Sequence, residues 1–196
     1  MRATALACAV MPFFAWSTPV FAHGGPPLRL GVIPNPTVSA VARLVLVHLR
    51  EGVGFAVDWR EFPDEAALRA AFAGGRIDIA VGLTEAEQPL PAPLAGADCP
   101  RESLVAVGEG LRRSWGGEVF LLGFPVGQAV CALPALIVSR AVLEDLRFGI
   151  LGKEAGRLAA FITREDVAAV RAAAASGGER TAIAAARAAL AAKAKR

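Results

Sequence analysis

LRLGVIPNPTVSAVARLVLVHLREGVGFAVDWREFPDEAALRAAFAGGRIDIAVGL, residues 28–83, decides the fold. It opens with an apolar run, Leu28 to Ile33. Pro34-Asn35-Pro36-Thr37 breaks that run, because proline fixes φ and removes a donor. Val38, Val41, Ala42, Val45 and Leu49 then recur at helical spacing, which predicts a helix over 38–50 ended by Gly52 and Gly54. A second strand is expected over 55–59. A second helix is expected over 64–73, with Asp64 as its cap and Ala67, Leu68, Ala71 and Phe72 on its apolar face. Gly74-Gly75 stops that helix, and a third strand is expected over 77–83. Strands alternating with helices imply right-handed crossovers, and strands written as continuous apolar runs imply burial on both faces.

Outward from this stretch, the N-terminus carries Arg2, an apolar core over 5–16 and the small-x-small site Val20-Phe21-Ala22. Residues 1–22 read as a signal peptide. The alternative, a retained membrane anchor, needs a longer apolar span than this one. Losing Arg2 with the leader lowers the net charge of +3 by one, and the remaining charges are dispersed. Dispersed charge carries no nucleic-acid footprint. The chain from 23 to 196 then has the length of one domain with its own core.

Export would expose Cys99 and Cys131 to an oxidising compartment, where an even pair is a disulfide candidate. The alternative is two buried thiols. A mature N-terminus at His23 suggests copper chelation, but the only other histidine, His48, lies inside the first helix. No metal-ligand spacing, nucleophile triad, Walker pattern or Gly-x-Gly-x-x-Gly run is present, so neither a catalytic residue nor a cofactor is expected. Enzyme action is the weakest class.

Two motifs carry a family resemblance. Leu30-Gly31-Val32-Ile33 as a first strand, and Gly75-Arg76-Ile77-Asp78-Ile79-Ala80 as the entry to a third, resemble the opening of type 2 periplasmic substrate-binding proteins of ABC importers. The glycine betaine/choline/proline branch is the nearest in pattern. Val142-Leu143-Glu144-Asp145 and Ile162-Thr163-Arg164-Glu165-Asp166-Val167 resemble the closing segment of that branch, with Thr163 and Asp166 spaced as a capping box. The resemblance covers residues 28–83 and about 133–190. It implies an α/β three-layer lobe, a mostly parallel sheet flanked by helices, with the second lobe reduced to a short insert over 88–132.

In open α/β sheets ligands bind at the carboxyl ends of strands, beside helix N-termini. Asn35, Thr37 and Ser39 after the first strand, with Thr84 and Glu85 after the third, are therefore the expected ligand-binding residues. Asn35 or Thr37 would also cap the helix. Asp78 is expected to be structural, bonded to backbone or to Arg76.

The resemblance implies a periplasmic solute-binding component of an ABC transport system. Its ligand would be a small polar or anionic solute of glycine betaine-like or phosphonate-like class. Its partner would be a permease in the inner membrane, with no nucleic acid, and the protein would be a monomer. Family members hold quaternary ammonium groups in aromatic boxes; this chain has no tyrosine, so no cage residues are carried over. The alternative is a one-lobe accessory or sensory periplasmic protein that binds another protein.

Overall fold

β1 (Leu28–Val32) is the strand against which the rest is built. β2 (Val57–Glu61) lies parallel to it, Leu28 opposite Val57 and Val32 opposite Glu61. On its other side lies β3 (Ile79–Leu83), also parallel, with Leu30 opposite Ile79. β4 (Gly117–Leu121) and β5 (Pro134–Ser139) complete the sheet in the order β2-β1-β3-β5-β4. β5 runs antiparallel to both of its neighbours. The computed structural model describes residues 26–83, 101–122 and 134–193, and the sheet is drawn from those. The fold class is α/β as expected. The sheet, however, is mixed, because β5 enters its middle against the direction of the others.

Two helices link the parallel strands: α1 (Pro36–Val47) and α2 (Glu65–Ala73). α1 follows the expected periodicity, but its burial is wider than one face. Ala40, Leu44, Leu46 and Val47 are buried together with the predicted Val38, Val41, Ala42, Val45 and Leu49. A helix that is apolar all round needs cover on its outer side as well. After Val47 the winding loosens into a six-residue π-helical turn, His48–Val53, that ends at Gly54. β2 starts two residues later than expected. Phe55 precedes it, fully buried and edge-on to Phe148 at 5.5 Å between ring centres.

α3 (Arg101–Trp115) and β4 fall inside the segment expected to be the insert in place of a second lobe. In the structure both belong to this lobe. β4 pairs with β5 from Gly117 opposite Ser139 to Leu121 opposite Ala135, and Trp115 packs edge-on against Phe72 of α2. Beyond β5 the chain makes α4 (Arg140–Leu143), a 3-10 turn (Leu146–Phe148), α5 (Leu151–Phe161) and α6 (Arg164–Lys193).

α6 is a hairpin of two helical arms. A straight helix of this length would hold its ends about 40 Å apart, yet Lys193 Nζ sits 2.6 Å from Asp166 Oδ2. The reversal is at Gly178, whose φ of 69° and ψ of −159° suit only glycine. The sequence there, Ser176-Gly177-Gly178, is rich in turn-forming residues. Asp166 and Thr163 cap the first arm as predicted: Thr163 N donates to Asp166 Oδ2 at 2.7 Å.

The layers follow from strand alternation. Leu28, Leu30, Val32, Ile79, Val81, Leu136 and Val138 face a core with α1, α5 and both arms of α6. Ala80, Ala135, Ile137 and Val119 face a second core with α2 and Trp115. Gly31 permits the close approach of α2, since a Cβ there would meet Leu68 Cδ1 and Ile77 Cδ1 at 2.6 Å each. Asp78 is buried and joins β1 to β3. Its carboxylate accepts from Arg29 N at 2.8 Å, Arg29 Nε at 2.9 Å and Arg29 Nη2 at 2.6 Å. The structural role stands; the guanidinium partner is Arg29 and not Arg76. Among the described residues no helix is long and apolar enough to cross a membrane.

Candidate functional site

The structure places Asn35, Thr37 and Ser39 where the sequence put them, at the carboxyl end of β1 and the start of α1. There they serve the helix. Asn35 Oδ1 accepts from Thr37 N at 2.9 Å and from Val38 N at 3.2 Å. The carbonyl of Asn35 accepts from Ser39 N at 2.8 Å. Pro36 has no N–H. Ser39 Oγ reaches back to the Ile33 carbonyl at 3.5 Å, and Thr37 is only 6% exposed. Every first-turn backbone N–H is therefore engaged by Asn35, which leaves no main-chain donor there to hold an anion. Thr84, Glu85, Cys99 and Cys131 lie outside the described residues.

Ionisable side chains converge elsewhere, where the π-helical turn, α5 and the second arm of α6 meet. They line a cleft of about 580 Å³ whose walls include His48, Glu51, Glu154, Arg157 and Arg187, with Val47, Val53, Ile150 and Leu190 as apolar lining. π-helical turns of this kind are frequent at functional sites, because they re-aim side chains out of helical register. Here the turn supplies His48, Glu51 and Val53.

Glu154 is the centre of the cluster. Its Oε2 lies 2.8 Å from His48 Nε2, and its Oε1 accepts from Arg157 Nη1 at 2.9 Å. The side chains of His48 and Glu154 are 14% and 11% exposed. Burial pushes the Glu154 carboxyl up, but the hydrogen bonds from His48 and Arg157, with their charges, outweigh it and hold it below its ordinary value. The His48 ring also packs edge-on to Phe161 at 5.8 Å. Across the cleft, Arg187 Nε donates to both oxygens of Glu51, at 2.8 and 2.9 Å.

Chemically, the cleft offers an imidazole–carboxylate–guanidinium chain, a paired Arg–Glu rim and apolar walls. Among the described residues no three His, Cys, Asp or Glu side chains form a metal site. Sequence reasoning passed over His48 and did not single out Glu154. The signal was present: a lone histidine inside the apolar run Val45-Leu46-Val47-His48-Leu49 must find a polar partner when that helix is buried.

No family model matches the chain, and no curated protein sequence does. Among solved structures it is similar to an OxyR mutant from Porphyromonas gingivalis, at 13% identity and a TM-score of 0.36 over 71% of this chain and 95% of that one. It is also similar to a Corynebacterium glutamicum OxyR C206 mutant, at 15% identity and a TM-score of 0.38 over 76% of this chain and 67% of that one. The fold is an α/β lobe with a mixed five-stranded sheet flanked by helices.

Neither structure is an importer receptor, and the importer reading is corrected on that finding. The ABC transport role, the glycine betaine-like or phosphonate-like solute, the permease partner and the exclusion of nucleic acid all fall with it. The alternative, a one-lobe accessory or sensory periplasmic protein that binds another protein, is unsupported. The physical reason is local. The helix start that was to hold the solute is already closed by its own cap.

Proposed function

We propose that this chain is a ligand-responsive sensing lobe. A small molecule entering the cleft between the π-helical turn, α5 and α6 would set how firmly the second arm of α6 stays docked. The observation that carries this reading is the position of Arg187. It lines the same cleft as His48 and Glu154, yet belongs to an arm joined to the rest by a glycine reversal. Among the described residues the arm's other polar ties are Arg43 to Glu179 at one end and Lys193 to Asp166 and to the Phe161 carbonyl at the other. A ligand that binds the docked form better shifts the arm by its differential affinity for the two forms.

Hydrogen exchange tests the reading. The full chain is screened against small carboxylates, amines, amino acids and oxyanions. A ligand should slow exchange over residues 182–193 and leave β1 and β3 unchanged. If ligands bind without altering exchange in the second arm, the sensing role fails.

Three further parts of the reading are proposals. Residues 1–22 direct export to the periplasm, so N-terminal sequencing should give His23; a product that keeps the leader refutes this. Cys99 and Cys131 form a disulfide, so the pair should resist alkylation until reduced. The chain acts by binding, with no chemical step assigned to it.

A further inference from the structure

We infer that the cleft takes a monocarboxylate with a short apolar body. This rests on the sensing reading above and narrows it to one chemical class. The acceptors in the cleft are already in use. Glu154 receives one donor on each oxygen, from His48 and from Arg157, and both oxygens of Glu51 receive Arg187. Both carboxylates are already charge-paired, so an amine or a zwitterion would have to compete with a guanidinium for either.

Among the described residues, Arg157 presents a side-on guanidinium fork with no acid on it, whereas that of Arg187 is taken by Glu51. Arg157 is bonded among the described residues through Nη1 alone, and its side chain is 60% exposed. The edge formed by Nε and Nη2 is open, and that fork matches the two oxygens of a carboxylate. Beyond it the lining turns apolar, with Ile150 and Leu190. Ile150 is exposed although it is a large aliphatic side chain. One open guanidinium edge beside aliphatic walls fits one carboxylate and a hydrocarbon tail. A phosphate dianion has more charge than one fork answers, and no tail for the walls.

Hexanoate is the probe, with hexylamine, leucine and inorganic phosphate as comparisons, titrated by calorimetry into the full chain. Hexanoate should bind saturably, and hexylamine and phosphate should not. Arg157→Gln should raise the hexanoate Kd roughly tenfold or more, the loss expected for a charged hydrogen bond. Ile150→Glu should weaken it comparably by like-charge repulsion. Both sites are exposed, so both variants should fold. Arg112→Gln, on α3, should change nothing. The inference is overturned if hexanoate does not bind, or binds wild type and Arg157→Gln alike. Arg157-dependent binding of leucine or phosphate in its place refutes the class and leaves the sensing reading standing. Hexanoate binding that depends on Arg157 but leaves exchange over 182–193 unchanged keeps the class and refutes the sensing reading.

Discussion

α1 is held on two sides by different means. Towards the sheet it meets Leu28, Leu30, Ile79, Val81 and Val138, all fully buried branched side chains. On the α6 side, the fully buried residues of the second arm are Ala182 and Ala186. That arm is fastened around them by ion pairs, Arg43–Glu179 and Arg187–Glu51, in which Glu179, Arg187 and Glu51 are well exposed. Branched aliphatics remove far more apolar area from water than alanines do. Exposed ion pairs add little and weaken with salt. The strand side is therefore committed, and the arm side is adjustable. Elements that respond to ligands come from the low-stability end of a fold, and the second arm has that composition.

The comparison can be broken most severely on its strong side. Leu30→Ala should lower unfolding stability by about 2–5 kcal/mol, read from urea denaturation, because the rigid sheet cannot collapse into the space. A loss no larger than that from an exposed surface substitution would deny the contrast. Next comes the cleft. Glu154→Ala leaves His48 and Arg157 without their shared acceptor and should lower stability by about 1–3 kcal/mol. It should also speed exchange in the second arm more than in β3.

A pH titration sharpens the same point. Glu154 and Asp166 both hold their carboxyls below their ordinary values. For Asp166, burial raises the value, but Lys193 and Thr163 more than offset it. Depressed carboxyl values give stability that is fully present above the ordinary range. That stability is lost as pH falls through the folded values. Tm should therefore drop on acidification below about pH 4.5, the ordinary value for Glu154. In Asp166→Asn the drop should be shallower. A flat profile would mean that neither pair matters to folding.

Smaller effects separate the two ends of α1. Asn35→Ala removes the side-chain cap of two N–H groups and should cost about 0.5–2 kcal/mol, with no change in ligand binding at the cleft. Weakened binding there would reinstate the strand-end site. Smallest is the rim: Glu179→Gln should lose roughly 0.2–1 kcal/mol of arm docking at low salt and nothing measurable at high salt.

Much of this contrast could be read before the structure. The helical spacing of Val38, Val41, Ala42, Val45 and Leu49 predicted the sheet-facing side of α1, though not the burial of its other sides. The Thr163–Asp166 cap was legible as well, because caps are local. Sheet membership was not. α3 and β4 looked like an insert because nothing in their own residues states that β4 pairs with β5. The π-helical turn was invisible for a related reason: His48–Val53 carries the same residue preferences in α or π winding, and its neighbours choose. Asn35 was one of two expected caps, with Thr37, and it is Asn35 whose Oδ1 accepts from the helix start.

The place of β5 bears on how the chain is born. A ribosome delivers β3 and β4 before Pro134–Ser139 exists, yet those six residues form the seam between them. Until residue 139 emerges, β3 lacks a partner on one side and β4 has none among the described strands, so nascent chains expose unpaired edges. Distant pairings of this kind raise contact order and slow the final zippering. Chains truncated before Pro134 should behave as aggregation-prone fragments, and a chaperone that delays collapse would serve this protein better than one that hastens it.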